Sequence, residues 1–421
     1  MITTNRNKIE AFVNSQRYSL FMFVVCILYT LTALPRLDIS DLLKNLIIFG
    51  SLPFIYLNFK TFDKKIFWLI LFAITIQLVS WVNSLISIPE LAKNRPDLKP
   101  LTTIFMFVLF SIWINNIKNR RYLLYSGLIV SFIATALYDN YENGSFILGL
   151  LGDRIDYGMH NAQFTAMLAT VVIFLTLYIT KDISNKIASH TRRPYWAIAC
   201  LIIAFCLFSI YASQARQVWL AFVVIAFLAP LITYDKYNYK KIFFFYISLS
   251  ILIFIFFNIP SIKERLLKET YVIDAVISGD LTTIPILSVT FRLLSWIEAS
   301  KWILEHPLLG TDYHSISYVI REAEIFKGTD LVRFGHLHSS YFEILVAYGL
   351  MGAIFYIYFY KHLITNIVSY NERTTISLLI YFLLFWLIIN FFESFNHKGL
   401  GLYAHTIVLG GLYTLQRKKE T

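Results

Sequence analysis

Charged residues are scarce in this chain of 421 residues: Asp, Glu, Lys and Arg together make up 15% of it, whereas apolar residues make up 57%. Soluble domains carry about 25% charged residues, so the composition argues against a globular protein in water. Apolar runs of about 20 residues, the length that crosses a bilayer as a helix, recur along most of the sequence. We therefore expect an all-α polytopic membrane protein.

Cysteine is also rare, and its spacing excludes several kinds of site. Cys26, Cys200 and Cys206 all lie in apolar runs and form no CxxC pair, so we interpret them as small buried hydrophobic residues. The alternating pattern of a transmembrane barrel is absent, as are internal repeats and low-complexity segments. A basic N-terminal segment precedes an apolar run at 18–34 without a small-residue cleavage site, which predicts an uncleaved anchor span.

The apolar runs predict about twelve membrane-spanning helices. Their approximate bounds are 18–34, 42–58, 66–88, 101–117, 122–138, 161–180, 195–212, 217–233, 242–259, 340–360, 374–392 and 400–415. An even number of spans places both termini on the same side of the membrane. The terminal segments and every second loop are basic, for example Lys118, Arg120 and Arg121 in one loop and Lys418 in the C-terminal tail.

This charge pattern predicts the orientation of the protein. Basic loops stay on the cytoplasmic side, so both termini are expected in the cytoplasm, although Lys93, Arg95 and Lys99 in an outer loop run against the pattern. The same loops account for the net charge of +11, so nucleic acid is not an expected partner.

One hydrophilic segment is far longer than any other loop and is expected to face outward. We expect a single integrated domain with spans one to nine in residues 1–259, an outward-facing helical loop in 260–339, and spans ten to twelve with a cytoplasmic tail in 340–421. Helical periodicity within the loop predicts helices at 290–305 and at about 315–327.

Three polar clusters on the outward side each contain one arginine: Arg154 in 152–161, Arg216 in 213–217, and Arg292 in the long loop. The planar guanidinium group donates two parallel hydrogen bonds to phosphate and stays charged, so the three arginines are candidates for binding a diphosphate. Each has an ordinary alternative. Arg216 can serve as an interfacial residue, Arg154 can pair with a neighbouring aspartate, and Arg292 can be a solvated charge on a surface helix.

Two histidines, His336 and His338, stand where the long loop meets an apolar run, and Glu343 follows just inside that run. Because histidine titrates near neutral pH, a pair at the mouth of a span suits proton transfer. The HxH spacing also supplies two metal ligands. No Cys or further ligand spacing accompanies it, so we expect no metal.

The residues resemble the O-antigen ligase family. The likeness lies in 336–338 with 349–352, in 213–216, in Arg292 with Trp296 and the later 306–311, and in 153–155. It covers nearly the whole chain in span count, orientation and loop position. One departure is Ser339, because many members of the family have Asn directly after the second histidine.

The resemblance implies a glycosyltransferase of lipopolysaccharide biosynthesis in the bacterial inner membrane, with an α-helical bundle of the GT-C type. Such enzymes transfer polysaccharide from undecaprenyl diphosphate to a sugar hydroxyl of lipid A-core on the periplasmic face, without a metal or other cofactor. The implied partners are this lipid-linked donor, the lipid A-core acceptor and membrane lipids.

The reaction needs a base for the acceptor hydroxyl and positive charge for the departing diphosphate. We predict His338 as the base, in a single displacement with inversion at the anomeric carbon. Either Glu343 or Glu393 is expected to orient His338. His336 is expected to bind acceptor phosphates or to cap the loop. Arg216 and Arg292, with Arg154 as a third residue, are predicted to hold the diphosphate.

Two other functions compete with this hypothesis. An O-antigen polymerase uses the same donor with a different acceptor, but polymerases often divide their outer arginines between two sizeable loops, and here only one loop is large. A transporter or flippase of lipid-linked sugars tends to show repeated halves and broken helices near mid-membrane. A membrane scaffold would leave the outward Arg and His residues unexplained.

Overall fold

The computed structural model describes residues 2–233, 239–267, 270–278 and 288–416. Within these ranges the backbone is almost entirely helical, and the one β pairing is an antiparallel bridge between Phe62 and Gln416. The predicted all-α class is therefore confirmed. The α-helices are α1 (Ile2–Val13), α2 (Gln16–Thr32), α3 (Ile39–Asn58), α4 (Lys64–Ser87), α5 (Lys99–Thr102), α6 (Met106–Ile114), α7 (Lys118–Asn143), α8 (Ser145–Leu150), α9 (Ala162–Ser184), α10 (Arg192–Ser213), α11 (Arg216–Thr233), α12 (Tyr239–Asn258), α13 (Pro260–Leu267), α14 (Tyr271–Ser278), α15 (Ser288–Glu305), α16 (Ser315–Arg321), α17 (Ser340–Tyr370), α18 (Arg373–Phe392) and α19 (Gly399–Leu412).

Eight helices of the described chain are long and apolar enough to cross a membrane: α4, α7, α9, α12, α17 and α18, together with α3 and α10, each extended by a 3₁₀ turn. Shorter apolar helices lie at the other four predicted spans, in α2, α5–α6, α11 and α19. The chain is a multi-pass membrane protein, whereas the number twelve and the orientation stay predictions. The C-terminal Arg417, Lys418 and Lys419, which support the predicted orientation, lie outside the described residues.

Helix α9 lies at the centre of the bundle, whereas the equally apolar α12 lies at its periphery. Within its most apolar window 89% of the residues are buried, whereas none is buried in the corresponding window of α12 at the periphery. A helix without a polar face has to be surrounded by other helices or by lipid. Asn161 caps the start of α9, with its side-chain oxygen accepting a hydrogen bond from the Gln163 N–H. The start of this central helix is therefore fixed in place.

The two helices predicted in the long loop are present with different bounds. The first, α15, begins two residues before the predicted start, and the second, α16, ends at Arg321 instead of near 327. The prediction for α16 was too long because the chain turns at Ala323 and buries Phe326 against Phe291, with ring centroids 5.3 Å apart. Helical periodicity does not report such a tertiary contact.

Helix α17 is broken at Gly349, whose backbone angles (φ 57°, ψ −151°) are not helical. A break leaves backbone groups without helical partners, which is costly inside a membrane unless the protein supplies others. The segment 307–312 supplies them. The Leu350 and Met351 N–H groups donate to the carbonyls of Pro307 and Leu308, at 2.8 and 3.2 Å. In the other direction, the Thr311 and Asp312 N–H groups donate to the carbonyls of Val346 and Ala347, at 3.1 and 3.0 Å.

The two backbones approach so closely that each side of this contact requires glycine. A Cβ added to Gly310 would lie 2.4 Å from the Ala347 carbonyl carbon, and one added to Gly349 would lie 2.6 Å from the Leu308 carbonyl carbon. Both glycines also have positive φ, which other residues rarely adopt. We call residues 307–312 with the break in α17 the interlock. It joins the end of α15 to the helix that begins just after the two histidines.

Candidate functional site

The backbone around the two histidines is held at Leu337. The Leu337 N–H donates to Glu343 Oε1 at 2.9 Å, and its carbonyl accepts from Trp296 Nε1 at 2.9 Å. Trp296 comes from the predicted stripe of α15 and stacks on Phe342, with ring centroids 5.4 Å apart. The next residue, His338, has a left-handed backbone (φ 53°). This conformation is uncommon for residues other than glycine and persists only where the surroundings enforce it.

Ser339, where many relatives have Asn, caps the start of α17 without a side-chain capping bond. Its hydroxyl is buried and makes no hydrogen bond to any described residue. An amide is nevertheless close by, because Ser340 Oγ donates to Asn390 Oδ1 at 2.7 Å. The residue after Ser339 therefore contacts an amide side chain from α18. The sequence did not identify Asn390 as a candidate.

Of the two carboxylates proposed to orient His338, Glu393 is the one in contact with it. His338 Nδ1 lies 3.0 Å from Glu393 Oε2. Burial opposes ionisation of Glu393. Nevertheless, the hydrogen bond and charge of His338, the nearby His336 and the Ser394 N–H lower the pKa of Glu393 to about 2. An ionised carboxylate only accepts hydrogen bonds, so Nδ1 carries a proton, and in the neutral form of the ring the lone pair is on Nε2. Among the described residues Nε2 has no hydrogen-bond partner.

Glu343 has a different place from the one expected for an orienting carboxylate. It is fully buried, and its Oε1 accepts from the Leu337 N–H at 2.9 Å and from Ser394 Oγ at 2.5 Å. These two bonds tie the histidine loop to the segment that carries Glu393. Glu343 thus holds the backbone on which His338 sits, and Glu393 contacts the ring.

His336 lies against His338, with ring centroids 4.1 Å apart, and its Nε2 is 3.8 Å from Glu393 Oε1. Burial, followed by the charges of His338 and Lys398, lowers the pKa of His336 to about 3, and Glu393 opposes this shift only in part. His336 is therefore neutral at physiological pH. The side chain remains partly exposed, at 23%, so it is accessible from the loop side.

Gln163, in the first turn of α9, links the carboxylate to one of the predicted arginines. With its amide nitrogen facing Glu393, Gln163 donates to Oε2, and its oxygen accepts from Arg292 Nη2 at 3.0 Å. The Gln163 amide also lies 2.9 Å from Gln217 Nε2. Arg216, which begins α11, is the chain neighbour of Gln217. Arg292 is thereby linked through Gln163 to the His338–Glu393 pair, and Arg216 is next in the chain to Gln217, which also contacts Gln163.

Arg154 lies in the loop before α9 and contacts the ends of neighbouring helices. Its Nε donates to the Ser213 carbonyl at 3.2 Å, and its Nη2 donates to Asn161 Oδ1 at 3.2 Å. These contacts join the 152–161 loop to the end of α10 and to the cap of α9.

Three helices begin at this site: α9 with Gln163, α11 with Arg216, and α17 just after His338. The start of a helix carries a partial positive charge and unpaired N–H groups, which favour anions. Together with Arg292 and Lys398, these helix starts surround the buried Glu393 with positive charge. The arrangement suits an anionic ligand placed next to a histidine that can accept a proton.

The same geometry brings a third possible metal ligand to the two that the sequence supplied. His336, His338 and Glu393 offer ligand atoms that all lie within 4.8 Å of one another. Two histidines and a glutamate form a donor set that zinc accepts. The positive charges of Lys398 and Arg292 act on His336, however, and they oppose a cation at this position. We keep the prediction of metal-independent chemistry, and a chelator tests it.

Sequence reasoning missed Gln163, Asn390 and Ser394, which complete the surroundings of Glu393. Gln163 directly follows the polar cluster that ends at Asn161 and is polar within an apolar run, so its position carried a usable signal. Asn390 gave a similar signal at the end of the predicted eleventh span. Nothing in the sequence indicated that these residues from different spans would meet.

A comparison with protein families matches residues 199–357 to a model described as O-antigen ligase. The matched segment runs from α10 into α17 and contains Arg216, Arg292, His336 and His338, whereas Gln163 and Glu393 lie outside it. No curated protein sequence matches the chain. The family points to membrane enzymes of the O-antigen ligase or polymerase type. The match confirms the predicted resemblance to the O-antigen ligase family over residues 199–357.

Proposed function

We propose that the protein is an O-antigen ligase of the bacterial inner membrane. It transfers polysaccharide from undecaprenyl diphosphate to a sugar hydroxyl of lipid A-core on the periplasmic face, without a metal. The observation that carries the proposal is the His338–Glu393 pair, at 3.0 Å, with Gln163 linking the same carboxylate to Arg292. A base and a cation for the leaving group are thereby within one cluster.

In the proposed reaction, Glu393 keeps the proton of His338 on Nδ1, so Nε2 accepts the proton of the acceptor hydroxyl. The acceptor oxygen forms a bond to the anomeric carbon as the bond from that carbon to the diphosphate oxygen breaks. The electron pair leaves with the diphosphate. Arg292 and Arg216, with the helix starts around them, stabilise its charge. Attack opposite the leaving group inverts the anomeric configuration.

The remaining predicted residues take supporting roles in this proposal. Arg154 fixes the 152–161 loop against the cap of α9 and the end of α10, and so it positions the anion site from outside. Glu343 holds the Leu337 backbone, and neutral His336 packs on the base. Neither of these two needs to transfer a proton.

Reconstitution tests the proposal directly. The purified protein is incorporated into liposomes with undecaprenyl-diphosphate-linked glycan and rough lipopolysaccharide, and glycan-modified lipopolysaccharide is measured with and without EDTA. We expect transfer that EDTA leaves unchanged. Absence of transfer to rough lipopolysaccharide would contradict the ligase assignment, and loss of transfer in EDTA that zinc restores would show that the His336–His338–Glu393 cluster works with a metal.

An O-antigen polymerase is the alternative, and a deletion strain separates it from a ligase. Loss of a ligase leaves full-length polymer on the lipid carrier, whereas loss of a polymerase leaves single repeat units.

The break in α17 is a feature that transporters also use. The backbone groups that the break leaves unpaired form hydrogen bonds within the interlock. This favours a structural role for the break over an ion-binding site.

A further inference from the structure

Gln163 is a buried, uncharged side chain at the candidate site. It lies in the first turn of α9 and is 7% exposed. Both ends of a buried amide need hydrogen-bond partners, because a polar group left unsatisfied away from water costs free energy. For Gln163 these partners include two oppositely charged residues, Glu393 and Arg292.

The two ends of the Gln163 amide contact the two charges directly. Its nitrogen donates to Oε2 of Glu393, the oxygen that lies 3.0 Å from His338 Nδ1. Its oxygen accepts from Arg292 Nη2 at 3.0 Å. These neighbours determine the orientation of the amide, because an ionised carboxylate only accepts and a guanidinium group only donates. Gln163 thus bridges the anion that contacts the predicted base and a cation predicted to bind diphosphate.

The elements that carry the other two arginines hold Gln163 in place. The Gln163 N–H donates to Asn161 Oδ1 at 3.2 Å, and Arg154 Nη2 donates to the same oxygen at 3.2 Å. On another side, Gln217, which follows Arg216 in the chain, has its Nε2 2.9 Å from the amide nitrogen of Gln163. Contacts from separate parts of the chain therefore fix the position of this one amide.

The neutral bridge has a consequence for the two charges. A guanidinium group and a carboxylate that lie close together in a buried site attract each other strongly, and a direct ion pair would occupy both groups. The Gln163 amide provides one hydrogen bond to each group and neutralises neither charge. The carboxylate of Glu393 is thereby kept on His338, and the guanidinium group of Arg292 keeps its charge for an anion.

We infer that Gln163 is a positioning residue that holds Arg292 and Glu393 apart and aligned, so that one amide sets both the diphosphate site and the base. The inference rests on the proposed function. A change at Gln163 should therefore alter donor binding through Arg292 and kcat through His338, and it should leave acceptor binding unchanged. A residue needed only for packing would have no separate effect on the donor.

Binding of undecaprenyl diphosphate that carries no glycan tests the first part, with the Kd measured by thermophoresis of the purified protein in detergent. Gln163→Glu keeps the shape of the side chain but adds a negative charge that pairs with Arg292 and repels Glu393. We expect this variant to raise the Kd about ten-fold. Gln163→Met, which keeps the length without the polar ends, is the second variant in case Gln163→Glu does not fold, and it should raise the Kd about three-fold.

Gln77→Met is the matched control for the loss of a buried glutamine. Gln77 is fully buried in α4, where it donates to the Ala73 carbonyl at 3.1 Å and accepts from the Leu101 N–H at 3.0 Å. These bonds join packed segments and involve no charge. The control should melt at a lower temperature than the wild type and bind undecaprenyl diphosphate with an unchanged Kd.

A double-mutant cycle with Arg292 separates positioning from packing. In the Arg292→Gln background, Gln163→Glu should change the Kd less than about two-fold, because its effect acts through the guanidinium group. A rise in the Kd of the same size in both backgrounds would show that Gln163→Glu acts by disturbing the packing of α9, and it would overturn the inference.

Kinetics of glycan transfer test the second part. At saturating donor, Gln163→Met should lower kcat about ten-fold, because His338 is no longer held in line with the acceptor, and the acceptor KM should stay the same. A raised acceptor KM with an unchanged donor Kd would overturn the inference.

The binding measurements also distinguish this inference from the proposed function. If the wild-type protein binds undecaprenyl diphosphate but transfers no glycan, the proposed function fails, and the cycle with Arg292 still decides the role of Gln163. If the wild type binds and transfers but both Gln163 variants bind equally well, only the inference fails. Absence of binding by the wild type would overturn both.

Discussion

Two charged clusters lie at opposite ends of the same helices, and they are built differently. At one end, Arg121 of α7 is buried and donates from all three guanidinium nitrogens to uncharged oxygens. Its partners are the Gly411 carbonyl, Tyr178, Thr375, Asn116 and Asn371. At the other end lies Glu393. Helix α18 carries Thr375 near its start and Glu393 just after its end, roughly 27 Å apart at 1.5 Å per residue.

The comparison distinguishes a charge that stabilises the fold from a charge that takes part in the proposed reaction. Arginine does not lose its proton in proteins. Each guanidinium nitrogen of Arg121 already has a hydrogen-bond partner, so this cluster holds the packed elements at one end of the bundle together. At the other end His338 contacts Glu393 through Nδ1, and its Nε2 has no hydrogen-bond partner among the described residues. We therefore expect changes at the Glu393 end to alter turnover and changes at the Arg121 end to alter stability.

The largest expected effect is on turnover at His338. His338→Ala removes the proposed base, and a general base contributes roughly 10²- to 10⁴-fold, so we expect transfer to fall about 10³-fold. Because the side chain is at the edge of the cluster, thermal stability in detergent should remain close to that of the wild type. Transfer to rough lipopolysaccharide by reconstituted protein measures the first quantity, and a melting curve measures the second.

Two further variants serve as controls for this prediction. Glu393→Gln keeps the shape but loses the charge that holds the His338 tautomer, and its loss of kcat should be smaller than that of His338→Ala. His336→Asn should lose least, since His336 is neutral and transfers no proton in the proposed reaction. If His338→Ala kept near-normal transfer, the base would have to be sought elsewhere.

The next largest effect is on stability at Arg121. Arg121→Met fills similar space but leaves several buried oxygens without a donor, so we expect a loss of about 3–5 kcal/mol in the free energy of unfolding. Lys118→Met is the matched control from the same turn of α7. Its pair with Glu372 is exposed and is worth about 1 kcal/mol or less. Equal melting temperatures for the two variants would show that the Arg121 cluster is not structural.

A smaller effect is expected at the interlock, which lies on the Glu393 side. Gly349→Ala places a Cβ against the Leu308 backbone and forces an unfavourable φ, so we expect a loss of about 2–3 kcal/mol and a lower kcat from a displaced His338. Gly144→Ala is the control for φ alone, because Gly144 has φ of +66° and open space around it. If both variants lost the same stability, close approach of the backbones would not be the reason for glycine at 349.

Sequence alone predicted the helical class, the position of each apolar helix and the residues of the histidine loop, because hydrophobic periodicity and residue chemistry are local properties. It did not predict the role of Arg121, which was assigned to a basic loop. The structure places Arg121 in α7, fully buried. A basic residue at the end of a span looks the same in sequence whether it faces water or a set of buried carbonyls.

The pairing of His338 with Glu393 is a second contact that the sequence does not predict. Both carboxylates were candidates, since each is close to the outer end of a span, and only the packing of α18 beside α17 brings Glu393 to the ring. The glycines at 310 and 349 were noticed as motifs that resemble a family. Their common reason, the close contact of two backbones, depends on residues nearly forty positions apart.

The smallest expected effect is a difference in acid sensitivity between the two ends. Burial, aided by Lys398, lowers the pKa of His397 to about 4, whereas an unfolded histidine titrates near 6.5. Between these values the unfolded chain binds more protons than the folded one, so stability is complete above pH 6.5 and is lost as the pH falls towards 4. Lowering the pH from 7.5 to 5.5 should therefore cost roughly 1 kcal/mol at this residue. The Arg121 end has no such group among its hydrogen-bond partners.

Hydrogen exchange at the two pH values measures this difference residue by residue. On acidification we expect amides of the segment between α18 and α19 to lose protection, while amides around Arg121 keep theirs. His397→Phe, which cannot bind a proton, should reduce the change in melting temperature between pH 7.5 and 5.5. Equal loss of protection at both ends in the wild type would mean that acid acts on the bundle as a whole. An unaltered pH response in His397→Phe would mean that His397 does not make the Glu393 end the weaker one.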